Sequence, residues 1–294
     1  KPIECPGRQS KKGTERGLMQ SLIISTTQLG PNYFCLRLLC PEIAGTYHPG
    51  QFVMLRAWAG YDPLLPRPFA IHQAWQDQDQ KGIEILYQVV GRGTALMTAL
   101  KPGDQVYLLG PLGKGFTIPQ GIRNVLLVAG GIGIAPLLAL THRLLQDNNP
   151  APKLSLLLGS KRKGDLLQVK EFTNLKVSVH IATEDGSVGY EGLVTDLLPL
   201  IIPRQRPRVI YASGPEAMLK EVARQANQYE IPCQVSLERL MACGIGACLS
   251  CVTKPNLPQA PHHLSSDVTL SLPFQHQRVC IDGPVFNAQE VIWD

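Results

Sequence analysis

Three cysteines crowd into residues 243–251, and a fourth follows after 28 intervening residues, so the set comprises Cys243, Cys248, Cys251 and Cys280. The spacing C-x4-C-x2-C with a distant fourth cysteine is that of a plant-type [2Fe–2S] site, in which four thiolates hold two irons. Gly244 and Gly246 lie inside the segment, where glycine lets the backbone approach a cluster closely. The pattern predicts an iron–sulfur site.

Two other interpretations of these cysteines remain open at this point. A structural zinc site usually takes two close pairs of ligands, whereas only Cys248 and Cys251 form such a pair here. The thiols could also be inert. Four further cysteines have no ligand spacing, so we expect small buried side chains or, for the first, an exposed thiol in a tail: Cys5, Cys35, Cys40 and Cys233. A disulfide framework is disfavoured, and a reducing, cytoplasmic setting is predicted.

Two glycine-rich turns each follow an apolar strand. The first, AGGIGIAP at residues 129–136, contains Gly130, Gly131 and Gly133, and Pro136 stands where a dinucleotide fingerprint has its third glycine. The second, ASGPEAM at residues 212–218, contains Gly214 and Pro215. Turns at the carboxyl ends of parallel strands can line one crevice, so together they predict a nicotinamide dinucleotide site. Ordinary tight turns are the alternative.

A basic run, Lys-Arg-Lys at residues 161–163, follows another strand of the same region. Such a run could hold the 2′-phosphate of NADPH, although a solvated charged turn explains it as well. Residues 183–187, TEDGS, are expected to form a loop on the same edge. The choice between NADH and NADPH therefore stays open.

The elements that must position these residues differ between the two halves of the chain. Up to about residue 116 six short strand-like runs alternate with turns, which predicts an antiparallel barrel or sandwich with one helix at residues 94–100. After residue 121 strands alternate with helices, which predicts a doubly wound parallel sheet. We expect a flexible tail at 1–17, a β-barrel at 18–118, an α/β domain at 119–235 and a small cysteine-bearing segment at 236–294.

Composition excludes several classes of protein. The 294 residues are 44% hydrophobic and 17% charged with a net charge of +5, as in an ordinary globular protein. The basic residues are too scattered to indicate nucleic-acid binding. No apolar run is long enough to span a membrane, and the polar N-terminus does not resemble a secretory signal.

The first half contains a weaker pattern that could bind a second pyrophosphate. RPFAI at residues 67–71 places Arg67 at the start of a strand, and VGRGT at residues 90–94 places two glycines and a hydroxyl before a helix. An arginine beside a helix N-terminus suits a phosphate. From the residues alone, two ordinary turns explain the pattern about as well.

The order of these motifs along the chain is itself informative. RPFAI, VGRGT, LGPLGKGF, AGGIGIAP, GPEAM and the cysteine block occur here in the order found in the ferredoxin-reductase superfamily. Within that superfamily the chain resembles the electron-transfer subunits of NAD-dependent dihydroorotate dehydrogenases. The resemblance extends from about residue 18 to the C-terminus and is most specific at ERLMACGIGACLSC.

The resemblance implies an FAD-binding barrel, an NAD(H)-binding α/β domain and a [2Fe–2S] segment. It implies that flavin and cluster carry the chemistry, so no catalytic side chain is expected. Implied FAD contacts are Arg67, Pro68, Phe69, Ala70, Leu86, Tyr87, Gln88, Gly93 and Thr94. Implied nicotinamide-nucleotide contacts are Gly130, Gly131, Gly133, Gly214 and Pro215, and the implied cluster ligands are Cys243, Cys248, Cys251 and Cys280.

Some positions depart from the family pattern. Ala70 replaces a usual serine, Gln88 a common arginine and Ser213 a frequent cysteine, and residues 255–274 resemble a loop insertion. The implied partner is an FMN-containing dihydroorotate dehydrogenase catalytic subunit in a heterotetramer. Alternatives are a subunit of a ferredoxin:NADP oxidoreductase or sulfide dehydrogenase with the same cofactors, and a non-catalytic zinc-bearing interaction module.

Overall fold

The computed structural model describes residues 18–58, 60–255 and 276–293. The predicted tail at 1–17 with Cys5, and nearly all of the insertion expected at 255–274, lie outside the described residues. Within the part that is described, no helix is both long and apolar enough to cross a bilayer.

The first half folds into an antiparallel sheet of seven strands in the order β4-β3-β7-β1-β2-β6-β5. The strand Gln105–Leu112 alternates exposed and buried side chains, as one buried sheet face requires, whereas residues 52–55 are buried on both faces. The strands are β1 Leu18–Gly30, β2 Tyr33–Leu39, β3 Phe52–Arg56, β4 Arg67–Ala70, β5 Gln73–Asp77, β6 Gln80–Gln88 and β7 Gln105–Leu112. Two short helices connect them, α1 Pro41–Ala44 and α2 Arg92–Met97.

One hydrophobic cluster fills the inside of this sheet. It combines Leu36, Val53, Ile71, Ile85 and Leu108, which come from strands on both sides of the sheet order. The sheet therefore curls around its own core, as the prediction of a barrel requires. The sheet has seven strands where six were expected. The run FAIHQAW forms two strands, which are separated by the fully buried Ile71 and His72.

The second half contains a seven-stranded, mainly parallel sheet in the order β11-β10-β9-β8-β12-β13-β16. The central strands are apolar almost throughout, as expected where helices cover both faces. The strands are β8 Asn124–Gly130, β9 Lys153–Ser160, β10 Ser178–Thr183, β11 Tyr190–Glu191, β12 Val209–Ser213, β13 Cys233–Ser236 and β16 Val285–Asn287. The antiparallel edge strand β16 comes from the cysteine-bearing segment, which the sequence did not indicate.

Four helices accompany this sheet: α3 Ala135–Asp147, α4 Val169–Asn174, α5 Leu198–Gln205 and α6 Glu216–Gln228. The alternation of strands and helices was predicted, and the α/β class is confirmed. The boundaries differ most at the run LLQVKEF, whose first three residues lie outside α4. A two-stranded sheet, β14 Val252–Thr253 and β15 Gln277–Arg278, completes the cysteine-bearing segment.

Aromatic and polar contacts join the two sheets. The ring of Tyr211 in β12 meets Phe116 edge-on at 5.4 Å between centroids. The Tyr211 hydroxyl donates a hydrogen bond of 2.9 Å to the Thr117 carbonyl. Because Thr117 lies on the connection between the sheets, these contacts fix how the two halves meet.

Gly82 in β6 provides a test of the barrel packing. A Cβ at this position would lie 1.8 Å from the Leu38 carbonyl and 2.7 Å from the Trp75 ring. We expect Gly82→Ala to destabilise the fold by about 1–3 kcal/mol or more, since neither the neighbouring strand nor a buried indole can yield. Urea unfolding followed by circular dichroism measures the change.

Gly164→Ala is the matched control, because a Cβ there meets nothing within 4 Å. Equal stability of the two variants would contradict this account of the packing around Gly82.

Candidate functional site

The two glycine turns of the second half touch each other at the carboxyl edge of the parallel sheet. A Cβ on Gly133 would lie 2.3 Å from the Ser213 carbonyl oxygen. A Cβ on Gly130 would lie 2.8 Å from the Pro215 ring and 2.7 Å from the Met218 sulfur. Only glycine permits this approach, because any side chain would push the turns apart.

A cavity of about 350 Å³ opens between these turns and the antiparallel sheet. Three parts of the chain line it, namely the strands β3, β4 and β6, the glycine turns, and the segment that leads to the cysteines. Parallel α/β sheets bind ligands at this edge. The arrangement makes one crevice from regions that the sequence presented as separate sites.

Most of the residues expected to contact FAD line the cavity. They are Arg67, Pro68, Phe69, Ala70, Leu86, Tyr87, Gln88 and Thr94, and Gly133 lines it from the other side. Gly93 lies directly behind Arg67, since a Cβ on it would meet the Arg67 Nε at 3.1 Å. Gly130, Gly131, Gly214 and Pro215 form the adjoining turns and do not line the cavity. Their roles as contacts remain predictions.

The Tyr87 hydroxyl indicates that the cavity is made for a polar ligand. It is buried and has no hydrogen-bond partner among the described residues. Its ring is held by Phe34, stacked at 5.6 Å, and by Phe69, edge-on at 5.9 Å. Burial raises the pKa of Tyr87 to about 12, so the phenol is a neutral donor. A buried polar group without a partner is costly, which a ligand with a polar edge would relieve.

Arg67 and the VGRGT turn meet as expected for a phosphate clamp. The Arg67 guanidinium lies 5.7 Å from the centre of the Trp58 ring and donates to the Leu65 carbonyl at 2.6 Å. The Thr94 hydroxyl accepts hydrogen bonds from the amides of Val90 and Gly91, at 3.0 and 3.2 Å. These contacts hold a positive charge beside a rigid turn, a geometry that fits a pyrophosphate.

Sequence reasoning missed the contribution of the cysteine-bearing segment to this cavity. Leu237, Glu238, Arg239 and Met241 all line it. They follow β13, whose carboxyl end lies beside that of β12 in parallel register, Ser236 opposite Ser213. The sequence did contain a signal for this contribution, because residues that follow a parallel strand reach the same edge of the sheet as the glycine turns.

The four predicted ligand cysteines lie as two pairs. Cys248 hydrogen-bonds with Cys243, and the Cys280 amide donates to the Cys251 sulfur at 3.5 Å. Across the described ranges, no three side chains of the metal-binding types lie close enough to share a single ion. A two-iron cluster binds two thiolates at each iron. The pairing fits the two-iron donor set.

Two sets of backbone contacts position these sulfurs. The pairing of β14 with β15, and the bond from the Val279 amide to the Cys251 carbonyl at 3.0 Å, bring Cys280 to Cys251 across the long sequence gap. The Ile245 amide points at the Cys243 sulfur, 3.4 Å away. Backbone N–H donors of this kind stabilise thiolate sulfur.

The surroundings of the two pairs differ. The hydroxyl of Ser250, followed by the bond with Cys243, lowers the pKa of the Cys248 thiol to about 6. Burial, followed by the adjacent Cys251, raises the pKa of the Cys280 thiol to about 12. Cys248 is exposed and Cys243 half-buried, whereas Cys251 and Cys280 are both buried.

Residues 241–251, here called the cysteine loop, rest on the antiparallel sheet. Gly244, at φ +71°, touches Met54 and Leu112, which are 2% and 1% exposed. Met54 and Phe52 are two residues apart on β3 and so project from the same face of the strand. Phe52 lines the cavity. A single strand thus forms the wall of the crevice and the support of the cysteine loop.

One cation of the basic run at residues 161–163 is paired, and the backbone of the run is hydrogen-bonded to the neighbouring loop. The Arg162 guanidinium pairs with Asp165 at 3.1 Å, and the Lys163 amide donates to the Ser187 hydroxyl at 2.7 Å. The hydrogen bonds from Ser187 hold the pKa of Asp185 below its usual range.

Comparison with known proteins gives two family matches that agree with this geometry. Residues 127–224 match the oxidoreductase NAD-binding domain. Residues 238–264 match the iron–sulfur cluster binding domain of dihydroorotate dehydrogenase B. The first range contains both glycine turns and the second begins at the crevice and includes three of the four cysteines.

Curated relatives match over nearly the whole chain. The dihydroorotate dehydrogenase B (NAD(+)) electron transfer subunit of Desulforamulus reducens is 36% identical over 92% of this chain and 97% of the relative. That of Caldanaerobacter subterraneus is 40% identical over 84% of this chain and 87% of the relative. The chain belongs to the family of dihydroorotate dehydrogenase B electron transfer subunits. It is therefore an oxidoreductase subunit, and the zinc-bearing interaction module is excluded.

Solved structures share the fold of this chain. An NADH-dependent reduced ferredoxin-NADP oxidoreductase, studied for flavin-based electron bifurcation, is 28% identical with a TM-score of 0.77 and covers 94% of this chain and 91% of its own. A ferredoxin NADP+ reductase of Neisseria gonorrhoeae with bound FAD and NADP is 18% identical with a TM-score of 0.58 and covers 72% and 91%. The second likeness concerns the fold alone.

The contact between Gly244 and Met54 supplies a test of how the cysteine loop is supported. A Cβ on Gly244 would lie 2.6 Å from the Met54 Cγ, so Gly244→Ala should lower both the iron content per chain and the melting temperature. Adding Met54→Ala removes the clashing atoms and should restore part of the loss. Iron and sulfide assays with thermal unfolding measure both effects.

Met54→Ala alone is the control for the double variant. A double variant that loses as much as the sum of the two single changes would show that the two residues are not coupled.

Proposed function

We propose that this chain carries electrons between NAD(H) and a partner protein, using FAD bound in the crevice and a [2Fe–2S] cluster bound by the four cysteines. The observation that carries the proposal is the single crevice, which unites the predicted flavin residues, the nucleotide turns and the approach to the cysteine loop. When bound, FAD accepts a hydride and releases electrons one at a time, which a [2Fe–2S] cluster can relay.

In this proposal the residues of the chain bind, orient and exclude water. Arg67 and the turn at residues 90–94 hold the pyrophosphate of FAD. The Tyr87 hydroxyl donates a hydrogen bond to a polar edge of the ligand. The closely packed turns at Gly133 and Gly214 let a dinucleotide approach the same cavity. Phe52 and Met241, both on the lining, keep its inner side apolar.

The four cysteines provide the ligands for the cluster. Cys243 with Cys248 and Cys251 with Cys280 would each bind one iron, which the pairing of the sulfurs supports. The buried pair lies on the side of the protein core, since Cys251 and Cys280 belong to the hydrophobic cluster that also holds Phe52 and Met54. Cys248 is the exposed ligand, so electrons would leave on its side.

The proposed partner is an FMN-containing dihydroorotate dehydrogenase catalytic subunit, joined with this chain in a heterotetramer. Three large apolar side chains within eight residues of the exposed Cys248 are themselves exposed, namely Leu240, Ile245 and Leu249, at 88%, 53% and 58%. Exposed apolar side chains of this size mark protein interfaces. A partner docked here would approach the cluster directly.

We propose NADH as the reductant and the cytoplasm as the compartment. The fixed carboxylate of Asp185 supports the first, because it would repel a 2′-phosphate. None of the seven described cysteines forms a disulfide, which supports a reducing compartment.

Reconstitution tests the function. The chain, co-purified with the FMN-dependent dihydroorotate dehydrogenase of the same genome, should support NAD-dependent conversion of dihydroorotate to orotate only when both chains are present. FAD, iron and sulfide should co-purify, and NADH should reduce the flavin faster than NADPH. A flavin-loaded protein that NADPH reduces and that does not serve this partner would indicate a ferredoxin:NADP oxidoreductase subunit.

Leu240→Glu sharpens the same experiment, because it places a charge in the proposed interface while Leu240 itself contacts little. It should weaken formation of the complex and leave flavin reduction by NADH unchanged. Leu200→Glu, on the outer face of α5 and 45% exposed, is the matched control and should change neither. Equal binding by both variants would place the partner elsewhere.

Removal of one ligand separates the two cofactors. Cys248→Ser should abolish the visible and electron paramagnetic resonance spectra of the cluster, since four thiolates are needed. Flavin reduction by NADH should persist, because the cavity contains none of the four cysteines. Loss of flavin reduction at full FAD occupancy would show that the two sites are not independent.

A further inference from the structure

A buried histidine joins the two halves of the molecule beside the crevice. His72 lies between β4 and β5 of the antiparallel sheet and is fully buried. Its Nδ1 atom lies 2.8 Å from the main-chain carbonyl oxygen of Ala135, the first residue of α3 in the α/β half. The proposed electron transfer gives this side chain no role.

The acceptor determines which ring nitrogen of His72 carries a proton. A carbonyl oxygen can only accept, so Nδ1 holds the proton and donates it. Burial lowers the pKa of His72, so the ring is neutral and Nε2 is unprotonated. Within the described part of the chain, the Nε2 atom is buried without a hydrogen-bond partner. A core side chain with one unsatisfied nitrogen is costly, which indicates a role other than packing.

The backbone holds both ends of this hydrogen bond in place. On the barrel side, the His72 amide donates to the Glu84 carbonyl of β6 at 2.8 Å. On the other side, Ala135 follows directly on the turn Gly131–Ile134. The close approach of Gly133 to the neighbouring glycine turn fixes that turn. The bond therefore connects two rigid parts of the chain.

The bond lies directly behind the walls of the crevice. Ala70, two residues before His72, lines the cavity, and so does Ala135, whereas His72 does not. The first wall carries the predicted flavin residues, and the second follows the predicted nicotinamide turn. The bond of Tyr211 with Thr117, in contrast, lies outside the lining, on the connection between the sheets.

The proposed reaction depends on the spacing of these two walls. A hydride passes only between atoms held about 3–3.5 Å apart, and a misplacement of about 1 Å can slow a reaction by about 100-fold. The walls come from different sheets, and apolar packing between sheets is non-directional. A hydrogen bond has a preferred distance and angle, so it can set the spacing that packing leaves free.

We propose that His72 is a positioning residue, which sets the spacing between strand β4 and the turn at residues 131–134 through its bond from Nδ1 to the Ala135 carbonyl. The inference rests on the proposed electron transfer and deepens it. His72 acts through the main chain of Ala135 and adds no chemical step of its own.

The test compares His72→Leu, which fills the space without a donor, with His72→Asn, whose amide keeps a donor near the place of Nδ1. Stopped-flow reduction of the flavin-loaded chain over a range of NADH concentrations separates the limiting rate from the dissociation constant. His72→Leu should lower the limiting rate on the order of 10-fold or more. The dissociation constant of NADH should stay within about threefold of wild type, and His72→Asn should restore most of the rate.

Two readouts do not depend on activity. Nitrogen-15 spectra of the wild-type protein with labelled histidine should show Nδ1 of His72 protonated and Nε2 unprotonated at neutral pH. Amide hydrogen exchange at residues 131–139 should be faster in His72→Leu than in wild type and His72→Asn, because the bond holds the start of α3.

Ile43→Val is the control for lost stability. Ile43 is fully buried in the core of the antiparallel sheet, so the change should destabilise the fold by leaving a cavity. It should leave both the limiting rate and the exchange at residues 131–139 as in wild type.

The outcomes distinguish this inference from the function on which it rests. A wild-type flavin that NADH does not reduce overturns both. Normal reduction of the wild type, with an unchanged limiting rate in His72→Leu or an equal loss in His72→Asn, overturns the positioning role alone. Weaker NADH binding with an unchanged limiting rate does the same. A His72 ring protonated at Nε2 instead of Nδ1 overturns it even where the variants fail to fold.

Discussion

The contact of the cysteine loop with strand β3 is the constraint on which the rest of the molecule depends. Gly244 packs against Met54 on the same face of the strand whose residue Phe52 lines the crevice. One hydrophobic cluster contains Phe52 and Met54 together with Val128 of the parallel sheet and Cys251 and Cys280. Because interiors pack densely, this shared core fixes the crevice and the cysteines relative to each other.

This arrangement explains why the chain can move electrons without an elaborate set of reactive side chains. The proposed flavin and cluster supply the redox chemistry, so the protein has to fix their positions and exclude water. Tyr87 has a buried hydroxyl without a partner among the described residues, and it belongs to a lining that also contains Arg67 and Gln88. A bound ligand with a polar edge would relieve the cost of that unpaired hydroxyl.

The distribution of exposure follows the same logic. The inner pair of sulfurs lies in the shared core, whereas Cys248 is exposed and flanked by uncovered apolar side chains at Leu240, Ile245 and Leu249. An electron route that ends at the surface needs such an outlet, and a partner that covers it would bury apolar area as it docks. The buried pair therefore lies at the inner end of the proposed electron route, and the exposed Cys248 lies at the end that faces the partner.

The sequence by itself determined the local features of this protein. The sequence revealed the cysteine spacing, the strand and helix periodicity and the glycine turns, because each depends on residues near one another in the chain. The predicted β and α/β classes are confirmed. Tertiary structure decided the rest. It joined three separate segments into one crevice, split FAIHQAW into two strands, added β16 to the parallel sheet and brought Glu238 into the cavity. These outcomes rest on packing between residues distant in sequence, and local preferences do not encode which surfaces will meet.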